Sequence, residues 1–533
     1  MEADMSTADK RFTKKERSWI LYDWANSVYA TNIMAAIFPT IFVAFAGEGG
    51  DIWWGYGTSF ATLIIAILAP ILGSIADYKG MKKKLFTAFM LLGVTATALI
   101  AVTNDWRFML VAYVISKIGF SGSNLFYDSF LTDVTTNERM DKVSSWGYAM
   151  GYIGGSTIPF VLSIGMLLAL GYSSPVAQKF SILITSVWWL VFTIPFLKNV
   201  EQVHYIERPE KISIRTAFDN VLGTMRDIGS SRGMLLFMLA YFFYIDGVDT
   251  VISISTAYGT ALGLGATGMI LALLVTQIVA MPSSILFARM ARKITTRKAI
   301  LLAIAVYMVI SLVGFYMGFS LEPHQEAYQQ SYAARQAEWT DSLAKYPFED
   351  GEAARAALGG ALKDAQAALP GDSLPLSDLH FEASSYSSGD LQLLEQARAD
   401  LALALGEYKA AEAPLIADYA QALRLSTILF WSMAILVGTM QGGIQAVSRS
   451  YFGKLVPKKR SNEYFGFFDI FGKFATVIGP LLYALVGGWT GRSSWGALGL
   501  LLLFLAGFVI LLLAKKPLEE LEMERAAQAL LEE

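Results

Sequence analysis

The sequence predicts an all-α membrane protein of twelve transmembrane helices in two pseudo-symmetric six-helix halves. Three observations carry that prediction. The chain of 533 residues is 54% hydrophobic and only 16% charged, with a mean hydropathy of +0.46; soluble proteins place about a quarter of their residues as charges. Apolar windows of about 20 residues recur, the length a helix needs to cross hydrocarbon. The basic clusters all fall on one side of the membrane if the number of spans is even. Uninterrupted apolar runs such as 498–513 exclude a β-barrel, whose strands alternate.

Hydropathy places the first six spans at about 19–45, 54–76, 83–103, 107–132, 143–170 and 179–197. The second six fall at about 233–257, 265–289, 299–320, 425–450, 463–488 and 495–514. Lys10, Arg11, Lys14, Lys15 and Arg17 precede the first span, and Lys79, Lys82, Lys83 and Lys84 follow the second. Arg289 to Lys298, Lys454 to Arg460, and Lys515 with Lys516 complete the set. Positive residues mark the cytoplasm, so both termini are expected there.

The expected organisation is a cytoplasmic segment (1–18), an N-terminal half (19–197), a cytoplasmic linker (198–232), a C-terminal half (233–320 and 425–514) and a tail (515–533). Residues 321–424 interrupt the second half with 17 acidic against 7 basic residues, a balance suited to the outside. Their Ala-rich stretches at 352–369 and 390–423 read as helices. The simplest expectation is a helical hairpin that extends the ninth and tenth spans. A sharper one is a small domain that binds a protein partner or gates the outer mouth.

A net charge of −3 without a basic domain excludes a nucleic-acid partner. With no cysteine there is no disulfide framework and no thiolate site. The three histidines lie outside the spans and form no ligand cluster, so neither metal nor cofactor is expected. The N-terminus lacks a cleavable apolar core, so the first span is expected to act as the insertion signal. "GLGATG" at 263–268 has the glycine spacing of a dinucleotide loop but no preceding strand. No nucleophile–base or metal constellation supports an enzyme.

"GSIADYKGMKKK" at 73–84 places Gly73, Asp77, Gly80 and a lysine cluster at the spacing of the major-facilitator signature. Its glycines permit a tight turn and close helix approach. Its carboxylate can accept bonds at a helix end. Tyr78 stands where that signature is usually basic. The corresponding second-half loop, "ARMARKITTRK", keeps the charge but lacks the acid.

In that architecture helices 1, 4, 7 and 10 line a central cavity. Polar stripes at helical spacing occur on all four. The first carries Tyr22, Asn26 and Tyr29, with Asp23 beside them; the fourth carries Lys117, Ser121, Asn124 and Asp128. The seventh carries Asp246, Asp249, Thr250 and Ser253; the tenth carries Gln441, Gln445 and Ser448, then Arg449.

Intramembrane charges are expensive and face a water path or one another. Asn26, Tyr29, Lys117, Ser121, Asn124, Asp246, Asp249, Thr250, Gln441 and Gln445 are therefore expected along a substrate and ion pathway. The Asp246/Asp249 pair is a proton carrier or a structural pair, and Lys117 anchors a substrate carboxylate or neutralises one of these acids. Asp23, Asp77, Asp128, Arg449 and Glu463 lie near the cytoplasmic ends of their helices, at the depth of salt bridges that shut a cytoplasmic gate. "SSWGYAMGYIGGS" in the fifth span puts Gly147, Gly151 and Gly155 on one face for close packing.

"YDWANSVYAT" (22–31) closely resembles the opening motif of the vacuole-effluxer branch of the major facilitator superfamily. "FYDSFLTDV" (126–134), "AYFFYIDGVDTV" (240–251) and "QGGIQAVSRSYFGKLVPKKRSNEYFGFFDIFGKF" (441–474) resemble the same branch. Asp128 stands where that branch usually has Asn, and Ile245 where it has a further polar residue. The insert at 321–424 is no usual feature of it.

The resemblance implies a secondary transporter of a small amino-acid-like solute that works by alternating access, and the Asp246/Asp249 pair would couple it to protons. A bacterial inner membrane is the expected location. The alternatives are a lipid or lysolipid transporter of the same fold, and a receptor or scaffold that displays the insert.

Overall fold

Inside a bilayer each backbone N–H must be satisfied within its own segment, which leaves helices as the solution for apolar runs of this length. The computed structural model describes residues 11–47, 50–156, 158–171, 173–207, 214–264, 266–348, 358–360, 362 and 388–532. Twelve of its helical segments are long and apolar enough to cross a membrane. Among the described residues the only β-type pairing is an isolated bridge between Tyr78 and Ile206.

The first span is broken. Helix α1 (Lys14–Tyr29) starts with a capping box, in which Thr13 Oγ1 accepts the Glu16 N–H and Glu16 accepts the Thr13 N–H. It passes into a π-helical turn, Ala30–Ala36, before α2 (Phe38–Ala46). Pro39 supplies the reason. A proline has no N–H and its ring clashes with the carbonyl four residues back, and a wider turn relieves both. Asn32, within the turn, donates to Ser163 and Thr185.

The N-terminal half continues through α3 (Gly50–Ala76), α4 (Met81–Ile100), α5 (Trp106–Ser129) and the short α6 (Leu131–Val134). It closes with α7 (Asn137–Ser156), α8 (Ile158–Leu170) and α9 (Pro175–Asn199), so the fifth span comprises α7 and α8. A linker helix, α10 (Ile214–Ser230), leads to α11 (Arg232–Ala261), α12 (Ala266–Ile294) and α13 (Thr296–Ser342). Then come α14 (Ser388–Ala411), α15 (Ala413–Leu455), α16 (Ser461–Thr490), α17 (Ser493–Leu513) and a tail helix, α18 (Lys515–Glu532).

Helices α13 and α15 run without interruption from the bundle into the insert. Tyr328 stacks on Tyr419 there, and Tyr332 and Trp339 meet Tyr408 edge-on. The expected insert helix at 352–369 lies outside the described residues except for 358–360 and 362.

The start of α1 and the tail helix α18 lie at one end of the bundle, called here the terminal face, where Arg139 donates to the Arg11 carbonyl, Lys454 pairs with Asp141, and Arg525 donates to the Leu455 carbonyl. The tail helix α18 buries Leu518 and Leu521 beside the start of α11. Helix α10 lies across the same face. Its Val221, Thr224 and Ile228 are buried at helical spacing. Asn220 donates to Ser74 and Tyr78 of the N-terminal half, while Arg460 of the C-terminal half donates to Thr224 and Asp227.

The halves meet where α7 packs on α12 and α15, and where α16 packs on α3 and α5. Missing side chains make that approach possible. A Cβ on Gly73 would sit 2.5 Å from the Asn462 carbonyl oxygen, and one on Gly466 would sit 2.9 Å from that of Ala69. Gly73→Val should therefore destabilise the protein by about 1–3 kcal/mol through overpacking. Gly223→Ala, in mid-helix with open space around it, should instead stabilise the protein by about 0.5–1 kcal/mol.

Candidate functional site

Arg449, on α15, is buried at the seam between the halves. Its Nη2 lies 3.2 Å from Asp23 Oδ2 on α1, and its Nη1 lies 2.9 Å from Asp128 Oδ1 on α5. Nε donates to Ser144 Oγ and Nη2 to the Ser144 carbonyl, both at 3.0 Å. The guanidinium carbon lies 4.3 Å from the ring centre of Tyr148, 4.8 Å from Trp19 and 5.5 Å from Tyr127. Two carboxylates and three π faces thus replace the water the cation gives up. Tyr127 also donates to Asp23 Oδ2 at 2.7 Å. Gly147 leaves the room, since a Cβ there would lie 2.4 Å from Asp23 Oδ2.

A second inter-half contact forms at the loop between α3 and α4. Asp77 Oδ1 accepts the Asn462 N–H at 3.0 Å and its Nδ2 at 2.7 Å, and Oδ2 accepts the Glu463 N–H at 3.1 Å. The carboxylate thus meets the first turn of α16, where free N–H groups favour negative charge. Glu463 enters this contact through its backbone; its side chain instead pairs with Arg460. Gly80 adopts φ +72° as the cap of α4, a left-handed conformation that glycine takes without strain.

Several seam residues escaped the sequence reading. Asp141 on α7 accepts from Ser450 and Lys454, each at 2.6 Å, and from Thr296 at 3.0 Å. Lys82, fully buried, pairs with Asp133 at 2.6 Å and donates to Ser461 across the seam at 3.2 Å. Asp133 also accepts the N–H groups of Val203 and His204, which fastens the start of the linker. Aspartates 133 and 141 flank a polar loop. Their partners lie far away in sequence.

The polar stripes separate into different environments. Asn26 donates to Asn124 Oδ1 at 2.6 Å, joining α1 to α5. Tyr29 is fully buried, shares a hydrogen bond with Ser116 and stacks on Phe120 at 4.6 Å, so its described contacts lie within one half. Ser121 is half-buried; Ser123, two residues on, receives the Tyr22 hydroxyl. Lys117 donates to the Thr58 carbonyl at 3.2 Å, an anchor on α3 that neither expectation for it included.

In the C-terminal half, Asp246 Oδ1 accepts the Gly479 N–H at 2.9 Å and faces Thr250 at 3.5 Å. Gly479 precedes Pro480 in α16, and a Cβ at Gly479 would overlap Thr250 and crowd Asp246. Asp246 Oδ2 is buried without a hydrogen-bond partner. Asp249 faces the Gln445 amide at 3.5 Å. Gln441 lines a cavity within the C-terminal half.

The family model for vacuole effluxer Atg22-like proteins matches residues 54–329 and 426–519. The chain belongs to that family. It is 38% identical over 515 residues to the uncharacterized MFS-type transporter YxiO of Bacillus subtilis strain 168, covering 94% of this chain and 95% of that one. It is also 41% identical over 54 residues to autophagy-related protein 22 of Eremothecium gossypii, covering 10% of this chain and 11% of that one.

Among solved structures, a bacterial homologue of the iron transporter ferroportin in its outward-facing state aligns with a TM-score of 0.54 at 12% identity. That alignment covers 96% of this chain and 98% of the other. The E. coli fucose:proton symporter FucP gives a TM-score of 0.54 at 12% identity, with 94% of this chain and 97% of that one covered. These likenesses establish the major facilitator fold of the family member described here.

Removing one partner of a buried ion pair costs about 3–5 kcal/mol. Arg449→Gln should lower the melting temperature accordingly, and adding Asp23→Asn should restore part of the loss. Asp77 offers a pH test. Burial pushes its carboxyl up to about 7 from an ordinary 3.8, against Lys82 and the three N–H donors from Asn462 and Glu463. A raised value means the packed loop binds a proton more tightly than the exposed one. The resulting preference for the packed seam is full below about 4 and fades as pH rises through 7. The melting temperature in detergent should therefore fall as pH rises from 6 to 8, and Asp77→Asn should flatten that fall.

Proposed function

We propose that this protein is a secondary active transporter that moves a small, amino-acid-like solute by alternating access. The observation that carries the reading is the Arg449 cluster. It places a buried cation of one half on two carboxylates of the other, at one end of the bundle only a few turns from a mid-span polar group. Such a contact can hold that end shut and be exchanged for water when the halves rock apart.

In this reading Asp23, Asp77, Asp128 and Arg449 form the gate at the terminal face, with Glu463 contributing its N–H and Asp133, Asp141, Lys82 and Lys454 reinforcing it. The lysine and arginine clusters at that face make it the cytoplasmic side. A bacterial inner membrane suits the extended likeness to the Bacillus protein. The pathway runs past Asn26 and Asn124 to Gln445 and Asp249.

Protons are the proposed coupling ion. The unpartnered Asp246 Oδ2 is a buried place for a proton, and Asp249 stands one turn away on the same helix. The amino-acid-like solute is the part of this reading that rests on the resemblance of the motifs at 22–31 and 441–474 to the vacuole-effluxer branch. Lys117 and the acids together offer groups of both signs to a zwitterion.

Proteoliposomes loaded with an amino-acid mixture test both parts. An imposed pH gradient should drive net flux of at least one component. Asp249→Asn should remove its dependence on the gradient while leaving exchange of the same solute intact. Flux that keeps its full pH dependence in both Asp246→Asn and Asp249→Asn would exclude these acids as the carriers.

A further inference from the structure

The C-terminal half holds a partly open cavity of about 100 Å³ between α11, α12, α13, α15, α16 and α17. Its wall is mostly apolar, with Val251, Ile254, Leu273, Phe430, Met433 and Leu500 prominent. Among the described residues no Asp, Glu, Lys or Arg lines it. Most of its polar groups are already occupied. Tyr258 donates to the Gly314 carbonyl at 2.6 Å, Thr276 to that of Ala272 at 2.9 Å, and Ser255 to that of Ile252 at 3.0 Å.

Three polar groups are not, of which the half-buried Gln277 on α12 is the most open. Ser311 on α13 and Gln441 on α15 are 4% and 8% exposed, and Ser311 Oγ and Gln441 Oε1 are buried without a hydrogen-bond partner. An orphaned polar atom at membrane depth is costly, so a group that satisfies it gains the whole difference. Oε1 of an amide accepts only, and a hydroxyl either accepts or donates. The wall therefore asks for a donor at Gln441 and has no counter-charge to offer.

We infer that this cavity is a binding subsite for an uncharged, mainly apolar group that carries a hydrogen-bond donor, such as a hydroxyl, a primary amide or an indole N–H. A carboxylate or ammonium there would be desolvated with nothing to pair it. The apolar wall gains from burying the hydrocarbon part of the ligand. The subsite deepens the transport reading: it receives the apolar part of the solute, while charged parts stay at the level of Asp249 and Gln445. It rests on that reading for its purpose but not for the binding.

The test uses the full chain in lipid nanodiscs and radiolabelled indole as the probe. Saturable binding is the difference between wild type and an Ala434→Trp variant, whose ring fills the cavity. Gln441→Leu should weaken binding about tenfold, the effect of one lost hydrogen bond, and Ser311→Ala should weaken it less. These two variants keep the test decisive if Ala434→Trp does not fold. Unlabelled 1-hexanol should compete, and hexanoate, hexylammonium and toluene should not at the same concentration.

Absence of saturable binding overturns the inference. So does competition by hexanoate or hexylammonium equal to that of 1-hexanol. Equal competition by toluene together with unchanged binding in Gln441→Leu also overturns it, leaving only a greasy void. Binding as described with no solute flux in proteoliposomes would sink the transport reading alone. Flux without indole binding would sink the subsite alone.

Discussion

A guanidinium inside the bundle has to be neutralised by something, and Arg449 finds both of its carboxylates on the other half of the chain. The rest of the seam follows from that constraint. Gly147 must lack a side chain because Asp23 and the arginine occupy its space. Trp19, Tyr127 and Tyr148 must present ring faces because the cation leaves no room for water. A buried pair of this kind adds little to stability compared with a well-packed apolar contact. Its value lies in being strong when complete and replaceable by water when parted, unlike an interface of interlocked apolar side chains.

The loop between α3 and α4 solves a related problem by other means. Asp77 has no cation in direct contact and instead accepts three N–H groups at the start of α16. Gly73 allows the backbones to come that close, and the positive φ of Gly80 turns the chain into α4. The second half has the corresponding loop but no acid in it. Its Thr296 instead reaches Asp141 of the first half, so the first half supplies the aspartate at both contacts.

Much of this was legible in the sequence because charge in an apolar window is conspicuous. Asp23, Asp128, Arg449 and Asp246 stand out against their neighbours without any knowledge of contacts. The twelve spans were legible for the same reason. Tyr29 was not, because a tyrosine at helical spacing looks alike whether it packs in a core or lines a path. Asp133 and Asp141 were hidden by the polar loop between them. The π-helical turn of the first span left only Pro39 as a trace, and a proline near a helix end does not disclose which turn widens. The unoccupied oxygens of Ser311 and Gln441 are a matter of three-dimensional satisfaction, which spacing cannot report.

Helix α10 grips Ser74 and Tyr78 of one half through Asn220, and Arg460 of the other through Thr224 and Asp227. Halves that separate at this face cannot both keep their hold on it. The connection between the halves is therefore a clasp with two ends, one of which would have to let go if the halves parted here. Because Arg460 also steadies Glu463, whose N–H meets Asp77, releasing that end would loosen the seam from outside the membrane. The grip between the two halves is thus set partly by a helix that belongs to neither bundle.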